Sequence, residues 1–449
     1  MNDIRTTLQR GLLVLLMSGA TLANAAVPAD EAAKLKTELT PLGGERAGNK
    51  DGTIPPWDGG YTTARSNKRA DPFKDDKPVL TITAKNAAQH EARLTDGIKA
   101  MLKKYPETFR LDVYKTRRTA AAPQFVYDNT LRNATRAKLA NGIPEGAFAG
   151  IPFPIPKNGE EVMWNHLLRW RGTAVEYFPT TYQVTSDAKT VLVSDLVVAE
   201  QFPYYFQESS LEAFARTNDY YLTHVQTTAP SLRAGELIAG RLNLDSTKDQ
   251  AWVYLTGQRR VRKLPNPCCD TPAPTLAGLM SFDEIFIYSG RMDRFDWKLV
   301  GKQEMYVPYN GNRFFSAKAD SDVLMGQHAN PEYLRWELHR VWVVEATVRA
   351  GQRHQAARSR YYCDEDSWTC VLADRWDAKG QLWKVIWGNP VLVPEMPGML
   401  TPVFGFNDML SGAAAVTGIN TKPAAPIELK SRWPESRFSG DALAAEGVR

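Results

Sequence analysis

The chain has 449 residues, of which 43% are hydrophobic and 23% charged, a composition typical of a globular protein. A formal net charge of +5 is too small for this length to indicate a nucleic-acid-binding protein. After the first 25 residues no stretch is apolar enough to span a membrane, which excludes an integral helical membrane protein.

The N-terminus has the three parts of a secretory signal peptide. Arg5 and Arg10 form a basic start, GLLVLLMSGATL (residues 11–22) is uncharged and apolar, and ANA (residues 23–25) supplies the small residues that signal peptidase reads. The alternative is a membrane anchor, but the apolar run is about a dozen residues and a spanning helix needs about 20. We therefore predict residues 1–25 to be a signal peptide, cleaved after Ala25, and the mature chain to reach the periplasm.

Two regions precede the first strands. Residues 26–82 are predicted to be extended and irregular, because TPLGGERAGNKDGTIPPWDGG (residues 40–60) is dense in Gly and Pro. Its NKDGT part resembles a calcium loop but has Ala47 at the first ligand position, so a surface loop is expected. Residues 83–172 are predicted to be a helical region packing on a sheet, because apolar residues recur there at helical spacing.

From about residue 173 the hydrophobic period becomes two, which predicts β-strands. Phe295, Trp297 and Leu299 alternate with charged residues, and Trp336 and Leu338 do the same. Strands are expected at residues 177–185, 190–199, 201–207, 218–228, 235–243, 250–263, 294–307, 335–348, 355–363, 367–376 and 381–388. The predicted fold class is mainly β with helices (α+β), with residues 173–390 forming a large curled antiparallel sheet or incomplete barrel. Residues 391–449 are expected to be an irregular C-terminal tail.

Four cysteines in an exported chain make disulfides permissible. Cys363 and Cys370 flank a turn-rich hairpin tip and are candidates for a bridge across its base. Cys268 and Cys269 are adjacent and form a vicinal pair, bond elsewhere or stay free, since four cysteines allow three connectivities.

Sequence motifs for catalysis are missing: there is no HExxH, GxSxG, GxGxxG or phosphate-binding loop. His166, His224 and His339 are scattered among apolar neighbours, which indicates packing rather than metal binding. The acidic run at residues 364–366 is expected to be a solvated turn, with a calcium contact as the alternative. No catalytic residue, cofactor or metal site is predicted.

Two surfaces are candidate binding sites. Arg259, Arg260, Arg262 and Lys263 form a basic run, either an edge strand guarded by charge or a patch for an anion or an acidic partner. An apolar groove is predicted from large side chains on the strands, with a filled core as the alternative. Its candidate lining residues are Trp252, Tyr254, Trp297, Met305, Trp336 and Trp342. This assignment depends on register, because a one-residue shift moves every side chain to the other face.

Four segments resemble a large proteobacterial domain family of unknown function, whose members are often described as outer-membrane lipoprotein-sorting proteins. They are residues 39–60, 116–123, 150–172 and 257–266, in the same order. The resemblance implies the fold of the periplasmic lipoprotein carriers of Gram-negative bacteria: a curled sheet of about eleven strands, plugged by helices, whose concave face holds acyl chains. It also implies, as partners, an outer-membrane β-barrel protein and a resistance-nodulation-division type exporter.

These observations lead us to expect a periplasmic binding or carrier protein for a hydrophobic, lipid-like molecule that is not an enzyme. A structural adaptor docking on an outer-membrane β-barrel is the first alternative, and a periplasmic enzyme of unknown class is the second. A hollow sheet favours the carrier, a filled core favours the adaptor, and a cleft with convergent polar groups favours the enzyme.

Overall fold

The structure is a computed structural model that describes residues 26–264, 268–422 and 424–447. The predicted signal peptide and its cleavage site before residue 26 lie outside the described residues. None of the described helices is long and apolar enough to cross a membrane.

The regular elements are mostly strands. The helices are α1 (Ala29–Ala33), α2 (Asp96–Lys104), α3 (Gln124–Arg136), α4 (Gly159–Leu167), α5 (Leu211–Phe214) and α6 (Gly440–Gly447). The strands are β1 (Leu80–Ile82), β2 (Leu111–Val113), β3 (Lys138–Ala140), β4 (Ile143–Glu145), β5 (Ala174–Tyr177), β6 (Thr180–Val184), β7 (Thr190–Gln201), β8 (Asp219–Ala229), β9 (Leu237–Asn243), β10 (Gln250–Leu255), β11 (Arg260–Lys263), β12 (Phe295–Pro308), β13 (Leu324–Met325), β14 (His328–Ala329), β15 (Trp336–Val348), β16 (Arg358–Asp364), β17 (Cys370–Trp376), β18 (Leu382–Val393), β19 (Gly398–Asp408), β20 (Ala414–Ile419) and β21 (Ile427–Leu429).

One 17-stranded sheet organises the fold. Its main antiparallel run has the spatial order β11, β10, β9, β8, β7, β6, β20, β19, β18, β17, β16, β15, β12. β5 and β21 lie beside the end of β7, while β2 pairs in parallel with β15 and also holds β1. No pairing joins β11 to β12 among the described strands, so the sheet is open. The predicted large curled sheet is confirmed, with more strands than the eleven expected.

Three of the additional strands lie in the C-terminal part, and β1 and β2 lie before residue 173. Residues 391–449 were expected to be irregular, yet β19, β20 and β21 lie there and α6 follows. β19 reads GMLTPVFGFND and is buried along almost its whole length, so it has no polar face and no alternation to reveal it. Two other expectations also differ from the structure. Residues 201–207 contain a 3₁₀ turn at Pro203–Tyr205, and residues 250–263 form the hairpin of β10 and β11.

Both faces of β15 are covered. Glu337 and His339 alternate with the apolar side chains of this strand, yet they are only 0% and 1% exposed. The N-terminal segment crosses this face, and the backbone N–H of Arg117 donates to Glu337 Oε2 at 2.7 Å. Arg335 Nε donates to the other oxygen of Glu337 at 2.5 Å. A charged side chain is buried here because another part of the chain supplies its partner.

Candidate functional site

An apolar cavity of about 130 Å³ lies against one end of the sheet. The sheet contributes mostly aliphatic side chains from β7 to β10, and β19 contributes an aromatic one. They are Leu196, Val198, Val225, Ile238, Leu242, Ala251 and Phe404. Side chains between β11 and β12 close the other side: Leu276, Phe282, Ile285 and Phe286. The wall is therefore mostly hydrocarbon, which suits an apolar ligand.

Residues 274–289, the cover segment, have a backbone that ordinary residues avoid. Phe286 and Ile287 have φ angles of +53° and +75°. A left-handed conformation is costly for a β-branched residue such as Ile287, and it persists only where the surroundings hold it. Phe286 lines the cavity and Ile287 is fully buried, so this strained turn shapes the cavity wall.

Buried ion pairs anchor the cover segment to the sheet. Asp283 accepts hydrogen bonds from His354 at 2.8 Å and from Arg375 at 3.3 Å. Glu284 accepts from Lys384 at 2.9 Å and from Arg375 at 3.4 Å. Burial alone would raise the pKa of Asp283, but Arg375 and His354 lower it to about 2. The carboxylate is thus ionised at neutral pH, and the pairs hold the strained turn in place.

One end of the cavity meets a buried charged group. Glu200 lies in the cavity wall, and its Oε1 accepts hydrogen bonds from Tyr177 at 2.8 Å and from Tyr221 at 2.7 Å. Burial raises the pKa of Glu200, and Arg171 opposes that shift. Arg169 and Arg171 lie nearby, and burial and Arg171 lower the pKa of Arg169.

A more polar cleft of about 290 Å³ adjoins the cavity, since Leu242 and Ser289 line both. Asp249 lines this cleft and accepts a hydrogen bond from the backbone N–H of Asn243 at 2.8 Å. Burial raises the pKa of Asp249 to about 7. The molecule therefore carries an apolar chamber with a charged group at one end and a polar space at the other.

A family model described as "Protein of unknown function (DUF1329)" matches residues 81–444. The chain belongs to this family. It is also 38% identical over the full length of both chains to the uncharacterized protein PA3922 of Pseudomonas aeruginosa. The family expected from the four sequence segments is confirmed.

Three solved structures resemble parts of this DUF1329 protein. A DUF1329 family protein from Desulfovibrio piger has a TM-score of 0.41 and 13% identity, covering 61% of this chain and 92% of its own. A putative outer membrane lipoprotein-sorting protein domain from Vibrio parahaemolyticus has a TM-score of 0.43 and 11% identity, covering 63% and 97%. The LolA superfamily protein NE2245 from Nitrosomonas europaea has a TM-score of 0.38 and 11% identity, covering 64% and 100%.

The six side chains predicted to line a groove lie outside the apolar cavity of this DUF1329 protein. On β10, Ala251 lines the cavity, whereas Trp252 and Tyr254 pack with Leu443 of α6. The Tyr254 hydroxyl donates to the carbonyl of Gly447 at 2.6 Å. The cavity therefore does not lie against Trp252 and Tyr254, because α6 packs on these two side chains. Nothing in the sequence around β10 indicates that a helix from the C-terminus packs there.

The other four predicted groove residues also pack in the core. Trp297 and Met305 lie on β12, where Met305 is buried. Trp342 stacks on Trp368 with ring centroids 6.3 Å apart. Trp336 borders a separate space of only about 20 Å³. Met305 and Trp336 thus belong to the buried core and Trp297 and Trp342 pack against it, while an apolar groove at these residues stays a prediction.

The basic run lies at an edge of the sheet. β11 pairs with β10 alone among the described strands, and Arg259, Arg260, Arg262 and Lys263 are exposed around it. Charge on an edge strand opposes unwanted strand pairing. A role in binding an anion or a partner stays a prediction.

The acidic run at residues 364–366 is buried, so the expectation of a solvated turn was wrong. Asp366 accepts two hydrogen bonds from Arg118, at 2.8 and 2.6 Å. His339 Nε2 lies 3.1 Å from Glu337, and its Nδ1 lies 3.4 Å from Asp364. The partners of these acidic side chains, Arg118 and His339, come from other segments of the chain. The local sequence of the hairpin tip therefore predicted a solvent-exposed turn.

His339, Asp364 and Asp366 lie close enough together to suggest a metal site. Burial alone would lower the pKa of His339, but Asp364 and Glu337 raise it to about 9. A metal-binding histidine must be unprotonated, and Arg118 already occupies Asp366. The cluster therefore fits a buried ion-pair network better than a metal centre.

Both cysteine pairs are bonded in the structure. Cys363 and Cys370 join β16 to β17 at the hairpin that carries the acidic run. Cys268 and Cys269 form a vicinal disulfide, and Cys268 borders the polar cleft. Both bonds fit an oxidising compartment.

Sequence reasoning missed the buried arginines near the cavity. Arg169 and Arg171 lie in HLLRWRG (residues 166–172), which was used only to recognise the family. The available signal was two cations among Leu and Trp directly after an apolar helix, since buried arginines are rare unless something pairs with them. Glu200 likewise ends an apolar stretch of β7.

Proposed function

We propose that this protein is a periplasmic binding or carrier protein for an apolar, lipid-like molecule. The observation that supports it is the cavity of about 130 Å³ between β7–β10 and the cover segment. An engineered apolar cavity of similar size, about 150 Å³, binds benzene. The cavity is therefore large enough for a short alkyl segment.

Such a carrier binds its ligand by burying apolar surface in a cavity of matching shape, and it needs no catalytic group. Removing a methylene from water is worth about 0.8 kcal/mol, so a segment of six methylenes gains about 5 kcal/mol. The lining of Leu, Val, Ile and Phe side chains supplies that environment. The predicted signal peptide and the two disulfides support a periplasmic location. An outer-membrane β-barrel protein and an exporter remain part of the proposal, as the machinery that delivers or receives the ligand.

The test is lipid analysis of the protein purified from the periplasm, by native mass spectrometry and by organic extraction. A delipidated sample is then titrated with a dansyl-labelled fatty acid. We expect a co-purifying apolar ligand, or saturable binding of the probe at one site. A ligand-free protein that also fails to bind the probe overturns the proposal.

The alternative role as an adaptor has one observation in its favour, the exposed basic edge at β11. An acidic partner surface would be attracted to it, with an affinity that falls as salt rises. Charge reversal of Arg260 and Arg262 should then abolish co-purification of an outer-membrane partner without changing probe binding. Retention of the partner by this double variant would remove the support for the adaptor.

A further inference from the structure

The strongest unassigned feature is a small pocket at the Glu200 end of the apolar cavity, which we call the cationic pocket. It has a volume of about 10 Å³, enough for about one water-sized group. Arg169, Arg171 and Thr401 line it, and Glu200 lines both it and the apolar cavity. Tyr177, Phe286 and Pro402 are also shared between the two spaces, which makes them neighbours with a common wall.

Two polar atoms in the lining of this pocket have no hydrogen-bond partner among the described residues. Arg171 is 6% exposed, and its Nε has no hydrogen-bond partner among the described residues. Thr401 is 4% exposed, and its Oγ1 is likewise unpartnered. Buried polar groups are almost always hydrogen-bonded, and exceptions call for a missing partner.

The charges of this pocket do not balance either. Arg169 is 3% exposed, and its guanidinium hydrogen-bonds only to His166 among the described residues, with the His166 carbonyl accepting from Nη1. No ion pair joins Arg169 or Arg171 to a described carboxylate, and the Arg171 guanidinium lies over the rings of Phe202 and Tyr221, 4.5 and 5.3 Å from their centroids. Arg171 Nη2 donates to the carbonyl of Leu167 at 3.2 Å instead. Two guanidinium groups therefore face one carboxylate, Glu200, which leaves a net positive charge in a buried place.

His166 does not add to that charge. Burial and the two neighbouring arginines lower its pKa well below the usual range, so it stays neutral. Its Nε2 lies 3.1 Å from the carbonyl of Tyr288, and its Nδ1 accepts from the N–H of Cys370 at 3.0 Å. The excess positive charge is thus carried by the arginines alone.

We propose that the cationic pocket binds the carboxylate of a fatty-acid-like ligand whose chain occupies the apolar cavity. This inference rests on the proposed function and names its ligand class. One carboxylate oxygen fits the size of the pocket. Its single negative charge would balance the one positive charge by which the two arginines exceed Glu200. The Thr401 hydroxyl and Arg171 Nε then gain the partner that the chain does not supply.

The first test compares ligands with the same chain and different heads on the delipidated full-length mature protein. Octanoate, 1-octanol, octylammonium and octyl phosphate are titrated by calorimetry at pH 7.5. We expect octanoate to bind at least about tenfold more tightly than 1-octanol, and octylammonium to bind most weakly. Octyl phosphate should bind less tightly than octanoate, because its larger head exceeds the pocket.

The second test uses variants that keep the fold. T401V removes an unpartnered buried hydroxyl and should leave the unliganded protein as stable as before, yet weaken octanoate about three- to tenfold. E200Q keeps an oxygen for the two tyrosines and removes the competing negative charge, so octanoate should bind severalfold more tightly. T347V makes the same change at an exposed position of β15 that lines neither space, so it is the matched control and should leave the affinity for both ligands unchanged.

The outcomes separate the two proposals. Equal affinity for octanoate and 1-octanol, unchanged in T401V, overturns the carboxylate site while the apolar carrier stands. Tighter binding of octyl phosphate than of octanoate also overturns the carboxylate assignment. Failure of all four ligands and of the dansyl probe overturns the carrier and the carboxylate site together.

Discussion

Blocking the apolar cavity should abolish ligand binding without unfolding the protein. Val198 on β7 lines the cavity and is 6% exposed, whereas Val191 on the same strand is 47% exposed. V198W points an indole into a space of about 130 Å³, and V191W places the same indole in solvent. The two variants place the same ring at a buried, cavity-lining position and at an exposed position of one strand.

The expected magnitude follows from the displaced chain. Excluding three methylenes from the cavity costs about 2.4 kcal/mol. That is about 50-fold in Kd. The added ring enters existing space, so overpacking should cost no more than about 1–3 kcal/mol of stability. V191W should change both quantities little, because an exposed position tolerates a large side chain.

The assay is titration with the dansyl-labelled fatty acid, together with urea unfolding followed by circular dichroism. We expect V198W to bind at least about 50-fold more weakly than V191W while both unfold cooperatively. Wild-type affinity in a folded V198W protein would refute the reasoning, because the ligand would then sit elsewhere.

Two further predictions concern the buried ion pairs. His339 has a pKa of about 9 in the fold against 6.5 in the unfolded chain, so it stabilises the fold fully below pH 6.5 and loses that stabilisation as pH rises through 9. The loss between pH 7 and 9.5, measured by urea unfolding, should be about 2 kcal/mol, and H339Q should flatten this slope. An equal slope in H339Q contradicts the assignment. D283N should cost about 3 kcal/mol and speed ligand exchange, because it leaves buried Arg375 with Glu284 as its remaining carboxylate partner. D293N, at a half-exposed pair with Arg291, is the control and should cost less than about 1 kcal/mol, so equal losses for the two variants would count against the anchoring role.

Strands that alternation or β-rich composition marks were predictable, whereas β19 was not. β8, β9, β12 and β15 lie within a few residues of the expected ranges, because alternation or β-rich composition marks them locally. β19 escaped because both of its faces are buried, so its sequence is a mixed apolar run with Gly and Pro. A helix in the same position would show no clearer pattern.

In the candidate site too, the sequence predicted some features of single residues, and tertiary contacts decided others. Trp252 and Ala251 are neighbours on β10, and the larger one was taken to line the groove. α6, near the C-terminus, packs on Trp252, whereas Ala251 lines the cavity. The family segment 150–172 was recognised, yet the role of its two arginines depends on Glu200 and Thr401 from other strands.

The sequence by itself determined the family, the mainly β class and most of the antiparallel strands, because motifs, composition and the period of the hydrophobic pattern are local properties of the chain. Only the tertiary structure decided which face of each strand is covered, where the hollow lies and which charges are left without a partner. The physical reason is that the burial of a side chain and the pairing of its charge depend on contacts with segments that are far away in the sequence. The alternation of apolar and polar residues along a strand predicts which side chains share a face of the sheet. It does not predict which other part of the protein packs on that face.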